Sequence, residues 1–281
     1  MTVERTTTFE ALEHRFDVVV ENLPGTAEHL QELLSPLADD GFPTTSYRLT
    51  YDRDPSAEQH YVLWFQDEQI SRSAGQSRAL SLLLWHINQE TVRLSGERYV
   101  LLHAAAARRD GVTVVLPAPM EHGKTTTVAG LLLRAFDYIT DEAVAIDRRT
   151  GLITPFPKPL SVDPGSWPLL LELAPTAPQI VLNQWVVPVA RIPGVAVAPA
   201  APPRLIIAPA YRPGVRTELV QISRATMLAE LLPSTFNLSP HPLQQMEVLR
   251  RSVMGCECFR LAIGDLGEAV ALIEGAVDDV R

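Results

Sequence analysis

The chain has 281 residues, 46% of them hydrophobic and 20% charged, enough to bury a large core without disulfides or structural metals. Its formal charge of −9 disfavours a broad basic surface for nucleic acid. No run of about 18 apolar residues is present to cross a membrane, and the aliphatic content argues against disorder.

The N-terminus (MTVERTTTFEALEHRF) is charged and has no apolar signal core, so export is not expected. Residues 16–21, 45–52 and 60–66 read as strands, rich in β-branched and aromatic residues. Between the first two, 26–37 has the spacing of a short amphipathic helix. The segment 78–95 is a longer helix, with Leu80, Leu83, Leu84, Ile87 and Val92 mainly on one stripe. The expected division is an N-terminal α/β accessory layer over 1–77 and a main domain over 78–281, with no internal repeats.

The centre opens with an apolar strand at 99–107, an Arg-Asp-Gly turn at 109–111 and a buried strand at 112–116. A loop leads into a helix over 124–135, and 138–146 (YITDEAVAI) reads as a strand pair or bent strand. This order predicts a nucleotide-binding α/β unit. The 23 prolines concentrate between 155 and 213, which predicts turns and short edge strands there. Beyond them come a strand at 204–208 and a helix at 224–232 capped by Ser223. A helix at 242–254 and a strand at 258–263 follow. The last helix covers 266–276 and is opened by the capping-box pair Asp265 and Glu268.

Positions 118–125 read Ala118, Pro119, Met120, Glu121, His122, Gly123, Lys124, Thr125, followed by Thr126. The phosphate-loop pattern is G-x-x-x-x-G-K-[ST], and Gly123, Lys124 and Thr125 match it. Such a turn aims its N–H groups and a helix N-terminus at phosphate oxygens. Lys124 would neutralise the terminal phosphates, and Thr125 would offer a hydroxyl to Mg2+. Ala118 replaces the first glycine, at a cost of roughly 1 kcal/mol if that position needs positive φ. Glu121 brings a negative charge to the loop. A Gly-Lys-Thr triplet also arises by chance at helix starts, and the flanking strand and helix are what favour a nucleotide here.

Asp141 and Glu142 end an apolar strand about one helix after Lys124. Phosphotransfer sites use a carboxylate there to hold Mg2+ or accept a proton, and two adjacent acids allow both. In isolation the pair would read as a solvated strand end. His103 lies in the strand before the loop strand and reads equally as a core histidine. His122 reads as either a phosphate contact or a solvent-facing side chain. Lys158, among prolines, reads as a phosphate or substrate contact or as a surface lysine. Of Arg212, Arg216 and Arg224, one could stabilise a transferring phosphoryl group, with Arg224 favoured by its place at a capped helix start.

Trp85 and Trp167 read as packing residues, and Met227 and Met246 as core. Cys256 and Cys258 are too sparse for a zinc site and too close in a strand to pair, which predicts reduced thiols in a cytoplasmic protein. Nothing arranges Ser, His and Asp as a hydrolase triad.

Taken together, His103, the short hairpin, the Gly-Lys-Thr loop, the 138–146 run and the 155–160 run (PFPKPL) resemble one family. It is the catalytic domain of HPr kinase/phosphorylase and its bacterial kinase relatives, including kinases encoded beside peptide-modification genes. The likeness covers 99–162 well, the C-terminal end loosely and the first 75 residues poorly. It implies a P-loop mixed sheet flanked by helices, like that of phosphoenolpyruvate carboxykinase. It also implies ATP and Mg2+ as cofactors. Asp141 becomes the general base toward a serine hydroxyl, Lys124 the loop lysine, Thr125 the metal-binding hydroxyl and His103 the upstream histidine; with the base on Asp141, the second acid Glu142 is the one left for the metal.

The chain departs from the family at Ala118, Glu121 and Glu142. The expected function is an ATP-dependent kinase acting on a hydroxyl of a peptide, a protein or a small alcohol. The alternatives are a non-catalytic nucleotide-binding accessory protein of a peptide-modification pathway, and a scaffold that has lost the nucleotide. No nucleic-acid or membrane partner is expected, and self-association is implied by the relatives.

Overall fold

The computed structural model describes residues 2–54, 56–119, 122–175, 184–236 and 242–281. The fold is mixed α/β, with two open mixed sheets and flanking helices. The first sheet contains β1 (Val3–Arg5), β2 (Thr8–Ala11) and β3 (His14–Glu21), then, after α1 (Thr26–Leu33), β4 (Ala38–Asp39), β5 (Thr45–Tyr51), β6 (Tyr61–Phe65) and β7 (Glu68–Ser73). Their order is β4-β2-β3-β5-β6-β7, with β1 also on β3. β3 and β5 run parallel, which requires the crossover that α1 supplies. α1 ends at Leu33, short of the predicted 37. Pro36 has no N–H to continue the ladder, and 35–37 tighten into a 3-10 turn.

One face of this sheet buries Phe16, Val18, Val20, Tyr47, Leu49 and Leu63. α2 (Gln76–Ser95) presents Ala79, Leu80, Leu83 and Ile87 to the same cluster. That cluster continues through Tyr99, Leu101, Ala143, Ala145 and Phe156, so the first layer packs directly onto the second sheet. Trp85, expected to pack, is 58% exposed on the outer side of α2.

The second sheet starts from β8 (Tyr99–Arg109) and β9 (Val112–Pro117), joined by a two-residue turn at 110–111, since Arg109 of the predicted 109–111 turn still pairs with Val112. Asp110 and Gly111 both have positive φ, at 52° and 85°, the geometry that lets the hairpin follow the strand twist. There follow α3 (Lys124–Leu132), β10 (Asp137–Thr140), β11 (Ala143–Asp147) and β12 (Ile153–Thr154). β13 (Leu160–Val162) and β14 (Trp185–Val187) pair apart as a ribbon. The chain ends with β15 (Leu205–Tyr211), β16 (Glu218–Gln221), α4 (Arg224–Leu231), α5 (Pro242–Met254), β17 (Glu257–Ile263) and α6 (Leu266–Val280). The order is β12-β11-β8-β9-β15-β17-β16, with β10 beside β8 in line with β11.

Burial on both faces explains the continuous apolar runs of β8 and β9. Ala105 and Ala107 face the cluster under α3 and α6, while Val100, Leu102, Ala104 and Ala106 face the cluster under α4 and α5. α3 stops three residues before its predicted end. Phe136 N donates to Leu131 O, and Ala135 takes the left-handed conformation (φ 58°) that glycine usually supplies at a helix end. Met227 is buried as expected, whereas Met246 is half-buried and Gln245 takes the inner position on α5. Cys256 and Cys258 are buried free thiols. No helix among the described residues is long and apolar enough to cross a membrane.

Candidate functional site

β9 ends at Pro117, level with Ala104 of β8. The chain then turns and enters α3 through Gly123, whose φ of 88° and ψ of 13° are left-handed and natural for glycine. Thr127 N donates to Gly123 O at 2.8 Å, closing the first turn of α3. The helix N-terminus therefore points at the carboxyl end of β9, where open α/β sheets place their ligands. Ala118 is buried, and it is absent from the described non-glycine residues with positive φ, so the lost glycine leaves no backbone strain there. Met120 and Glu121 lie outside the described residues. His122 is exposed, and its carbonyl accepts Tyr211 N at 3.4 Å.

Lys124 is buried at the start of α3, and its Nζ donates to Ala118 O and Pro119 O, both at 2.7 Å. Its ammonium thus ties residues 118 and 119 to the start of α3. Burial lowers its pKa to about 8, opposed by the charges of Glu142 and Asp141. Thr126 Oγ1 lies 2.5 Å from Ser166 Oγ, which ties α3 to the turns after β13.

Asp141 stands just past β10 and is 3% exposed. Thr125 Oγ1 donates to its Oδ2 at 3.4 Å, so α3 and the acidic strand end meet as the motif reading requires. Oδ1 accepts the Tyr138 hydroxyl at 2.9 Å and pairs with Lys158 Nζ at 2.7 Å. Lys158 is therefore a buried member of the cluster, not a surface lysine. Its Nζ also donates to Pro159 O at 3.1 Å.

Glu142 turns the other way. Its Oε1 is 3.8 Å from His103 Nδ1, and burial raises its pKa, opposed by Lys158. The structure thus brings Thr125 to Asp141, and Glu142 to His103. Burial, then the charge of Lys124, pushes the His103 pKa down to about 4, so the imidazole is neutral at pH 7. Neither ring nitrogen has a hydrogen-bond partner among the described residues. The ring meets the edge of Phe236 at 5.4 Å. Phe236 N donates to Leu101 O, so the 235–236 segment takes the lane beside β8 that β9 vacates at its end.

Arg224 is not at this site. It bonds Cys256 O and Glu257 at the amino end of β17, whereas the turn lies at the carboxyl ends of the strands. Arg212 is at the right end. It lines a cleft of about 520 Å³ with Pro117, Ala118, Pro119, Ala208 and Arg260. Sequence reasoning left Arg212 unresolved because only the parallel pairing of β9, β15 and β17 brings it beside the loop.

In chemical terms the site offers two ammonium groups, two carboxylates, a hydroxyl at a helix N-terminus and a neutral imidazole. Thr125 Oγ1 and Asp141 Oδ2, 3.4 Å apart, are hard oxygen donors that can flank one octahedral Mg2+ with ligands at about 2.0–2.1 Å. No group of three or more His, Cys, Asp or Glu side chains among the described residues could hold a metal. A magnesium ion here would therefore complete its shell with water and phosphate oxygens, its usual habit. No protein-family model matches the chain, and no curated protein matches it significantly.

Proposed function

We propose that the chain is a nucleotide-dependent phosphotransferase, a kinase that passes a γ-phosphoryl group from ATP to a hydroxyl. The observation that carries this reading is the meeting of Thr125, at the α3 N-terminus, with the buried carboxylate of Asp141. The likeness of residues 99–162 to the HPr kinase/phosphorylase catalytic domain, with its P-loop fold, supports the same reading. Mg2+ bound with the nucleotide would neutralise charge on the phosphate oxygens. Lys124 would exchange its two carbonyl partners for phosphate oxygens, and the α3 amides would orient the chain of phosphates.

The two acids divide by their surroundings. The family likeness puts the base on Asp141, which leaves the metal to Glu142. The contacts favour the exchange of these roles. Asp141 faces Thr125 and has two donors on its other oxygen, which suits a fixed metal-side carboxylate. Glu142 has a side chain 36% exposed, is free of those donors and has a raised pKa, which suits a proton acceptor open to an incoming hydroxyl. Neutral His103 beside it can orient that hydroxyl.

The test is Mg2+-dependent ATP binding by calorimetry, with label transfer from γ-labelled ATP to serine peptides and small alcohols. Lys124→Ala should abolish binding. Asp141→Asn should weaken Mg2+-dependent binding, while Glu142→Gln should spare binding and lower transfer. The reverse pattern would return the base to Asp141.

A second reading is favoured by the resting contacts of Lys124 and Lys158, both of which are already satisfied by protein oxygens. It is a nucleotide-binding accessory protein of a peptide-modification pathway that does no chemistry. Tight ATP binding without transfer to any acceptor would select it.

A further inference from the structure

We propose that the cleft at the carboxyl ends of β15 and β17 seats the nucleoside half of the nucleotide, an inference that rests on the phosphate reading of the 118–125 turn. Strand register gives its position. Pro117 pairs with Ala104, and Leu205 and Ile206 pair with Val114 and Val115, which continues to put Ala208 level with Pro117. Ala208 pairs in turn with Arg260. On the other side, Thr140 pairs with Ala106 and Ala143 with His103, so Asp141 and Glu142 stand at the same height. One line across the sheet therefore runs from the acids, over β8 and the end of β9, to the cleft.

Phosphoryl transfer places the attacking and leaving oxygens roughly in line, on opposite sides of phosphorus. The acids lie on the β10 side of the turn. The leaving diphosphate and its nucleoside then belong on the β15 side, where the cleft opens against Pro117, Ala118 and Pro119.

The lining suits such a guest. Ala208, Ala210 and Ala262 make a shallow apolar wall that leaves room for a flat heterocycle. A volume of about 520 Å³ falls within the usual range for small-ligand sites. The side chain of Arg212 has no ion-pair partner among the described residues, and can stack on a base or meet the α-phosphate. Glu230 and Arg260 form an ion pair at the rim, which sets an acceptor beside donors for the base edge. The rival platform is the stacked pair Trp167 and Trp185, with centroids 5.0 Å apart, on the α3 side. Those rings pack on the core under α3, and the Trp167 indole N–H is spent on Val162 O.

The experiment compares Mg·ATP with inorganic tripolyphosphate, which has the phosphates and no nucleoside. Both are titrated into wild type, Ala210→Phe and Ala262→Phe. Filling the cleft should weaken ATP about tenfold or more and leave tripolyphosphate within about twofold. Unchanged ATP affinity, or parallel loss of both ligands, would overturn the proposal. Photolabelling of wild type with 8-azido-ATP needs no variant to fold. Adducts within 208–215 or 230–234 support the cleft, and adducts on Trp167 or Trp185 overturn it. If wild type binds neither ligand, the phosphate reading itself fails and takes this inference with it. If it binds tripolyphosphate as tightly as ATP, the cleft alone fails.

Discussion

Replacing Lys158 by methionine should destabilise the protein out of proportion to the size of the change. Lys158 Nζ is 2.7 Å from Asp141 Oδ1, and the two side chains are only 5% and 2% exposed. Methionine keeps most of the volume and deletes the charge, which leaves a buried carboxylate without its counter-ion. Breaking a buried pair this way typically costs about 3–5 kcal/mol. Tyr138 and Thr125 still donate to Asp141, which places the expected loss near the lower end, about 3 kcal/mol. At about 2 °C per kcal/mol, the low end expected for a chain this long, Tm should fall by about 6 °C. Asp141→Asn should show a similar loss, because it strands the lysine instead. The double variant, with neither member of this pair charged, should recover much of it. Urea unfolding at pH 7, followed by tryptophan fluorescence, reads all four proteins. A single-variant loss below about 1 kcal/mol, as for exposed pairs, or strict additivity in the double variant, would refute a buried, coupled pair.

His14 is fully buried between Thr45 and Thr91, and burial lowers its pKa from 6.5 to about 4. Its folded pKa lies below its unfolded one, so its stability share is whole above pH 6.5 and fades as pH falls toward 4. About 2 kcal/mol should be gone by pH 5, and His14→Gln should flatten that slope in urea melts; an equally steep slope in the variant would remove His14 as its source. Gly264→Ala should lower stability by about 3 kcal/mol or more, because its Cβ would fall 1.8 Å from Val215 O, a backbone atom that cannot rotate away. Gly123→Ala meets nothing closer than Tyr211 Cβ at 3.5 Å. It should therefore cost only the left-handed backbone penalty, about 1–2 kcal/mol in thermal melts. Thr125→Val should leave Tm nearly unchanged, since its one hydroxyl contact among the described residues is long at 3.4 Å, yet weaken Mg2+-dependent ATP binding in calorimetry.

What could be read from the chain beforehand is what local chemistry determines. The β8–β9 hairpin was legible because two buried runs flank Asp110-Gly111, and that dipeptide accepts the two positive φ values the turn takes. Ser223 and Asp265 cap their helices as their spacing predicts, accepting from Thr226 N and Glu268 N. Short strands were missed where pairing is long-range and the residues carry no periodic signal. β7 is the polar run EQISRS, held by β6, and β12 is two residues long. Ala135 ended α3 without the glycine that would have announced it.

The candidate site divides along the same line. Gly123, Lys124 and Thr125 are three consecutive residues, so a motif can find them. Asp141 follows by one helix and one strand, a distance short enough for chain order to suggest it. The partners that decide its chemistry come from farther away. Lys158 arrives through a proline-rich segment whose composition says nothing of where its ammonium goes, and Arg212 arrives on a strand that only parallel pairing brings beside β9. The cluster of Lys124, Lys158, Asp141 and Glu142 holds two lysines and two acids, which balance on paper. Their pairing makes a different point. Lys124 is spent on carbonyls and Lys158 on Asp141, while Glu142 is left beside a neutral histidine. On the proposed reading, an incoming polyphosphate would compete with two carbonyl bonds for Lys124, while Glu142 stands apart from both ammonium partners beside the neutral imidazole.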